Sequence, residues 1–312
     1  MDLCAIGEIR RLLEKYGQQP KKGYGQNFLT NRAIPEKIAE SAAFGDGFFG
    51  ASEGRRTEAA ALEIGPGIGC LTKELALRFS SVTAVEIDSG LIPLLGESLA
   101  DFDNIEVVNT DFMKLDLDAF LSEHFAGKEV RVAANLPYYI TTPVLMKLLD
   151  FVSSKDTPKI TSITAMVQLE VADRLCAKAG TAEYGAITAA VNLRGTARRL
   201  FTVSAGNFLP QPKVDSAVIE IKLYENGVRG AYDGFPDDEN EAAKMLAGVK
   251  ELISLAFGQR RKTLTNTLAK KYDKQAVGDA LEVIGFPRDV RGERLSAYDF
   301  CRLYDGLNKV GR

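Results

Sequence analysis

Ala60-Ala61-Leu62-Glu63-Ile64-Gly65-Pro66-Gly67-Ile68-Gly69 decides how the chain folds. An apolar run of strand length stops at a glycine-rich turn, and Cys70 to Phe79 then follows helical spacing. The same unit recurs downstream. Val82 to Ile87 is a second strand ending in an acid, and Ser89 starts a helix that runs to Leu99. Ile105 to Asn109 is a third strand, with Asp111 directly after it. Val130 to Ala134 is another, followed by Asn135-Leu136-Pro137-Tyr138-Tyr139 and a helix that opens at Thr141 and ends at Phe151. Strands alternating with helices at this interval predict a parallel, doubly wound sheet.

The remaining segments fit around that sheet. Ile6 to Tyr16 has the spacing of a short amphipathic helix, and Ala33 to Phe44 that of a helix with Pro35 in its first turn. Residues 45–58 are glycine-rich and polar, as in a surface loop. Ile160 to Val167 is a further strand, with helices expected at Leu169 to Ala177 and Tyr184 to Leu193. Thr196 to Val203 and Lys213 to Leu223 read as a closing antiparallel pair. Glu225 to Asn240 is a polar linker, and from Glu241 the pattern is helical throughout. The expected organisation is an N-terminal helix and basic arm (1–32), a sheet domain (33–224), a linker (225–240) and a small all-α domain (241–312).

In open parallel sheets, ligands bind beyond the carboxyl ends of the strands. Gly65, Glu86, Asp111 and Asn135 all fall at such ends, so the topology gathers them into one crevice. Gly65 and Gly67 have no Cβ and let a ligand approach the backbone closely. Glu86 lies 21 residues past Gly65, where an acid can accept both hydroxyls of a ribose. These features indicate a cofactor that contains adenosine. A dinucleotide would prefer its third glycine one residue later, and the helix offers no base until Lys73. Asp111 suits an adenine amino group and repels a diphosphate, although it is equally placed to cap the Phe112-Met113-Lys114 turn. S-adenosylmethionine, with a positive sulfonium and no phosphate, fits better.

Asn135 to Tyr138 has the groups that hold a planar base. The amide oxygen and a neighbouring carbonyl can accept hydrogen bonds from an exocyclic amine, Tyr138 can stack, and Pro137 stiffens the turn. A plain strand-to-helix turn with a buried tyrosine has the same sequence. Phe208, in the stiff turn Asn207 to Pro212, is either a core plug or a second wall for the base. Lys21 to Leu29 is a basic arm that docks through Phe28-Leu29, or a lid that brings the amides of Gln26 and Asn27 to a ligand. The cationic run Arg260-Arg261-Lys262 is a solvated helix face or a contact for phosphates.

Composition removes several classes. The 312 residues are 46% hydrophobic and 26% charged, as in ordinary globular proteins. No apolar run approaches the ~18 residues of a membrane span, and Arg10, Arg11 and Glu14 interrupt any exported leader. The four cysteines are scattered and the one histidine, His124, sits in a polar segment, so neither a metal site nor a serine–histidine triad is expected. A cytoplasmic protein with reduced thiols is the simplest account. The net charge of −3 hides two basic ends. Residues 1–32 carry six basic against three acidic side chains and residues 241–312 fourteen against nine, around an acidic body.

Taken together, Gly25 to Leu29, Glu63 to Gly69, Val85 to Asp88, Asn109 to Asp111, Asn135 to Tyr138, Pro212 to Val218 and Gln259 to Leu264 resemble the KsgA family of ribosomal RNA adenine dimethyltransferases over nearly the full length. The first five segments are shared with the related Erm enzymes, and the last two are closer to KsgA. The resemblance implies a Rossmann-like methyltransferase domain plus the helical C-terminal domain. It implies that Asn27, Leu29, Gly65, Glu86, Asp111 and Asn135 hold S-adenosylmethionine, with Gln26 and Gly67 beside them. Asn135, the carbonyl of Leu136 or Pro137, and Tyr138 would hold the target adenine, with Phe208 nearby. The implied reaction is dimethylation of N6 on two adjacent adenosines near the 3′ end of small-subunit rRNA, on immature 30S particles, by a monomer. Erm-like methylation of large-subunit rRNA and a non-catalytic assembly factor are the alternatives.

Overall fold

Burial on both faces marks the strands at the middle of a parallel sheet, and Ala59 to Ile64 is an unbroken buried run. The computed structural model describes residues 1–45, 54–151, 158–259 and 261–310. Its strands are β1 (Phe28–Leu29), β2 (Thr57–Ile64), β3 (Phe79–Glu86), β4 (Ile105–Asn109), β5 (Val130–Asn135), β6 (Ile160–Gln168), β7 (Gly195–Val203), β8 (Phe208–Leu209) and β9 (Ser216–Leu223). Seven of them form one sheet in the order β4-β3-β2-β5-β6-β9-β7. β2 pairs in parallel with both β3 and β5, while β9 runs antiparallel to β6. The chain leaves β2 towards β3 and β4, then returns to the other side of β2 as β5. That reversal is a topological switch, the place where such sheets open a crevice.

The helices Ala33–Phe44 and Cys70–Arg78 cover the sheet through Ile38, Ala42, Leu71 and Leu75, all buried with β2 and β3 residues. The N-terminal helix Ile6–Lys15 turns Ile9, Leu12 and Leu13 inward, one stripe at helical spacing. These pack with Phe28, Ile68, Cys70 and Leu94. Glu97 secures the far end, accepting Lys15 Nζ at 2.6 Å and Tyr16 Oη at 2.5 Å. The arm is therefore docked at both ends: β1 pairs antiparallel with β8, Phe28 opposite Leu209 and Leu29 opposite Phe208.

The domain boundaries differ from those expected. One unit comprises Met1–Ala172 and Arg198–Lys222, the other Asp173–Ala197 and Leu223–Arg312. Tyr184, Ala189 and Leu193 lie in the same core as Val249, Leu252 and Phe300, and so does Phe235 from the expected linker. Local periodicity marks Ala186–Asn192 as a helix but carries no information about which core its buried face joins. The second unit is otherwise built from Glu239–Phe257, Leu264–Leu268, Lys274–Val283 and Ala297–Val310. Asp238 and Asp273 cap the first and third of these by accepting backbone N–H bonds. Most of the expected loop at 45–58, and Arg260 in the cationic run, lie outside the described residues.

The turn that leaves β2 depends on Gly69, which has φ +93° and would place a Cβ 3.0 Å from Leu99 Cδ2. Gly69→Ala is expected to lower unfolding stability by about 1–2 kcal/mol, measured by denaturant unfolding. An unchanged midpoint would show that the turn tolerates a side chain.

Candidate functional site

Four strand ends converge on one cavity of about 280 Å³. Gly65, Glu86, Asp111 and Asn135 all line it, as do the arm residues Gln26, Asn27 and Leu29, with Gly67, Leu136, Pro137 and Tyr138. Phe208 does not. It is 5% exposed, packed with Leu29 and Met166 in the core, so of its two readings the structure has the plug. Its contribution to the site is indirect, through the β1–β8 pairing that seats Leu29.

Glu86 organises the floor. Its carboxylate accepts the Gly67 N–H at 3.2 Å and the Asp88 N–H at 2.8 Å. Its own carbonyl accepts Asn109 Nδ2 at 2.7 Å and the Thr110 N–H at 3.0 Å. Burial to 4% exposure raises its pKa, and the backbone donors partly offset that. Each oxygen still has a lone pair to offer. Glycine suits position 67 because its φ of +60° lies in the left-handed region, and a Cβ there would rest in ordinary contact with the Phe28 ring.

The arm is latched to the same loop by Asp88. This carboxylate takes Lys21 Nζ at 2.7 Å and Gln26 Nε2 at 3.0 Å. Burial opposes ionisation of Asp88, yet those two hydrogen bonds hold its pKa below the ordinary value. Gln26 Oε1 meanwhile accepts the Lys21 N–H at 2.8 Å. Each end of the Gln26 amide thus has one partner within the protein, and these bonds shape the arm where it lines the cavity.

At the end of β5, Asn135 Nδ2 donates to the Asn27 carbonyl at 3.4 Å, and Oδ1 accepts nothing among the described residues. The Pro137 carbonyl is occupied by the Ile140 N–H at 3.1 Å and the Thr141 hydroxyl at 3.2 Å. The Leu136 carbonyl, by contrast, accepts no hydrogen bond among the described residues. Tyr138 is half-buried with its hydroxyl 2.9 Å from Ser216 Oγ. Tyr139 stands at the mouth, 57% exposed. Asp111 both lines the cavity and caps the following turn, accepting the Met113 N–H at 2.9 Å. Lys147 braces that turn from Thr141–Asp150, donating to the Met113 and Leu115 carbonyls at 2.9 and 2.6 Å.

Glu63 was not expected in the site. It is 1% exposed, lines the cavity, and its Oε2 has no hydrogen-bond partner. The signal was present, since Glu63 is the one charge in the run from Ala60 to Ile64. Among the described residues the cavity wall thus holds three carboxylic side chains, Glu63, Glu86 and Asp111, and no lysine, arginine or histidine. Such a lining favours a cationic ligand and opposes a phosphate. Among the described residues no group of three or more His, Cys, Asp and Glu side chains could hold a metal ion, and no helix is long and apolar enough to cross a membrane.

Residues 17–309 match the family described as ribosomal RNA adenine dimethylase. The chain is 39% identical to the ribosomal RNA small subunit methyltransferase A of Ligilactobacillus salivarius, over 97% of this chain and 95% of that one. It is 38% identical to the protein of the same name from Geobacillus thermodenitrificans, over 100% and 99%. Among solved structures it is similar to the 23S rRNA methyltransferase ErmE, with 27% identity and a TM-score of 0.64 over 90% of this chain and 100% of that one. Its fold also matches a dimethyladenosine transferase from Plasmodium falciparum, with 24% identity and a TM-score of 0.68 over 91% and 98%. The chain belongs to the ribosomal RNA adenine dimethylase family. It is a methyltransferase, with the Rossmann-like sheet expected from its sequence.

Burial pushes Glu63 up to about 8, with Glu86 adding to the shift and the Thr72 hydroxyl opposing it. The unfolded chain loses this proton near the ordinary value of 4.5. Between those values the folded protein holds a proton that the unfolded chain has lost. The group's stabilising effect is therefore complete below the lower value and disappears as pH rises through the upper one. Glu63→Gln is expected to flatten the fall in unfolding free energy from about pH 5 to 8.5, gaining roughly 3 kcal/mol on the unsubstituted protein at the upper end. Denaturant unfolding at both pH values measures it, and parallel profiles would mean that Glu63 titrates normally.

Proposed function

We propose that the protein binds S-adenosylmethionine in this cavity and dimethylates N6 of two adjacent adenosines in a hairpin near the 3′ end of small-subunit rRNA. The observation that carries the reading is a wall of three carboxylic side chains with no lysine, arginine or histidine among the described residues, meeting Asn135 and the Leu136 carbonyl. The residues present fit the cofactor. Glu86 has spare acceptor capacity for ribose hydroxyls, Asp111 for an adenine amino group, and the apolar wall of Leu29, Ile64 and Ile68 for the rest. Gly65 and Gly67 would leave room at the turn, and Asn27 would close over it from the arm. Bound there, S-adenosylmethionine supplies a methyl group on a positively charged sulfur.

The protein's own contribution is positioning. The lone pair on adenine N6 is delocalised into the ring and is a poor nucleophile. Asn135 Oδ1 and the Leu136 carbonyl would each accept one N–H of that amine, favouring a tetrahedral nitrogen whose lone pair points at the methyl group. Pro137 holds the two acceptors in one turn, and no general base is required for the bond-forming step. Stacking on Tyr138 would offset part of the cost of extruding the base, at about 1–3 kcal/mol. The helical unit would grip the RNA, with Arg261 and Lys262 exposed after Glu239–Phe257. The setting is an immature 30S particle in the cytoplasm, and the active form is a monomer.

Two outcomes are expected. Purified immature 30S particles and free 23S RNA are treated side by side and N6-dimethyladenosine is mapped. The marks should fall on adjacent small-subunit adenosines, and marks on 23S RNA alone would replace the assignment with an Erm-like one. Asn135→Ala should bind the cofactor within about threefold of normal in calorimetry while losing roughly 100-fold in methyl transfer. Near-normal turnover would remove Asn135 from the proposed role. Absence of any cofactor binding by the unsubstituted protein would favour an assembly factor.

A further inference from the structure

The segment Pro212 to Val218 has no part in the reading above, yet it abuts the site. Asp215 and Ser216 sit where β9 begins, and Ser216 pairs with Gln168 at the end of β6. The Asp215 carbonyl accepts the Leu169 N–H at 3.0 Å, and its carboxylate accepts the Ala205 N–H at 2.9 Å. The backbone on both sides of Ser216 is therefore fixed, and the side chain itself is 0% exposed. A buried hydroxyl needs a partner, and here the partner is the phenol of Tyr138, 2.9 Å away. Tyr138 otherwise follows Pro137 in a short turn, half-buried and with one face on the cavity wall.

A tyrosine that only lined the wall could rotate about its side-chain torsions. A stacking platform is useful only if its plane is set before the base arrives, because ordering it afterwards costs binding energy. Among the described residues the Tyr138 hydroxyl has one hydrogen bond, and it ends on a strand start whose backbone is held by β6 and by Asp215. Burial also raises the pKa of the phenol, with Ser216 opposing and Asp215 reinforcing the shift, so the hydroxyl stays protonated through the neutral range.

We infer that Ser216 is a positioning residue for methyl transfer: its hydroxyl holds the Tyr138 ring in the plane on which the target nucleobase stacks. The inference rests on the proposed role of Tyr138 and extends the site to β9, two strands beyond β5 in the sheet. It also gives the Pro212–Val218 motif a task. Asp215 pins the backbone, and Ser216 transmits that rigidity to the ring.

The test is a double-substitution cycle on the full-length protein with Ser216→Ala, Tyr138→Phe and the two combined. Tyr138→Phe removes the same hydrogen bond from the half-buried side and leaves β9 untouched, so a folding defect in Ser216→Ala cannot mimic the result. Each single variant is expected to lower the methylation rate about 3- to 10-fold, with cofactor affinity unchanged. The double variant should be no worse than the weaker single one. An oligonucleotide hairpin carrying 2-aminopurine at the target position should show weaker quenching with both singles, which a loss of stability alone would not produce. Unaltered rates in the singles, or effects that multiply in the double, would overturn the inference. Tyr138→Ala separates the two levels. If it is inactive while Tyr138→Phe and Ser216→Ala are normal, only the Ser216 role fails; if it is fully active, the stacking role of Tyr138 fails first.

Discussion

A buried carboxylate that accepts two backbone N–H groups is the interaction from which the rest of the site follows. Glu86 ends β3 beside β2, and its oxygens take the Gly67 and Asp88 amides. Those bonds set the glycine turn after β2 against the loop after β3. Asn109 and Thr110 close on the Glu86 carbonyl from the neighbouring strand end. Three loops are thereby held to one residue. Asp88, placed by the same contact, takes Lys21 and Gln26 and draws the arm over the crevice.

Holding an acid in that position has an electrostatic consequence. Glu86 lies close enough to Glu63 to add to the cost of ionising it, and among the described residues the lining holds no lysine, arginine or histidine. A ligand bearing a positive group is favoured beside these carboxylic side chains, whereas one bearing a diphosphate is disfavoured. Selection among adenosine-containing cofactors thus comes from the wall as a whole. Among lysines near the loops, Lys21 is paired with Asp88 and Lys147 with the carbonyls of Met113 and Leu115, while the exposed Lys114 lies 3.8 Å from Asp111 on the solvent side.

How much of this was legible in the sequence depends on whether the information is local. Strand, turn and helix recur from Thr57 to Asp150, so the parallel sheet and the meeting of Gly65, Glu86, Asp111 and Asn135 could be read directly. Contacts that join distant segments could not. Phe208 carries the same sequence signal whether it walls a cavity or fills a core, and its pairing partner Leu29 lies far away in the chain. Residues 173–197 look like one more helical crossover, although Tyr184 and Leu193 are buried with Val249 and Phe300. Gln26 advertises a free amide, but Asp88 and the Lys21 backbone occupy it. Glu63 and Ser216 are the reverse case: polar residues in strand segments, visible in the sequence but mute until their neighbours are placed.

The central claim is that the cavity selects an adenosine cofactor by positive charge. Isothermal titration of the purified protein with S-adenosylmethionine and, separately, with NAD at the same pH and ionic strength tests it most directly. The account predicts saturable binding of S-adenosylmethionine and no detectable heat from NAD at the same concentrations. Comparable binding of the dinucleotide, or none of either, would contradict it.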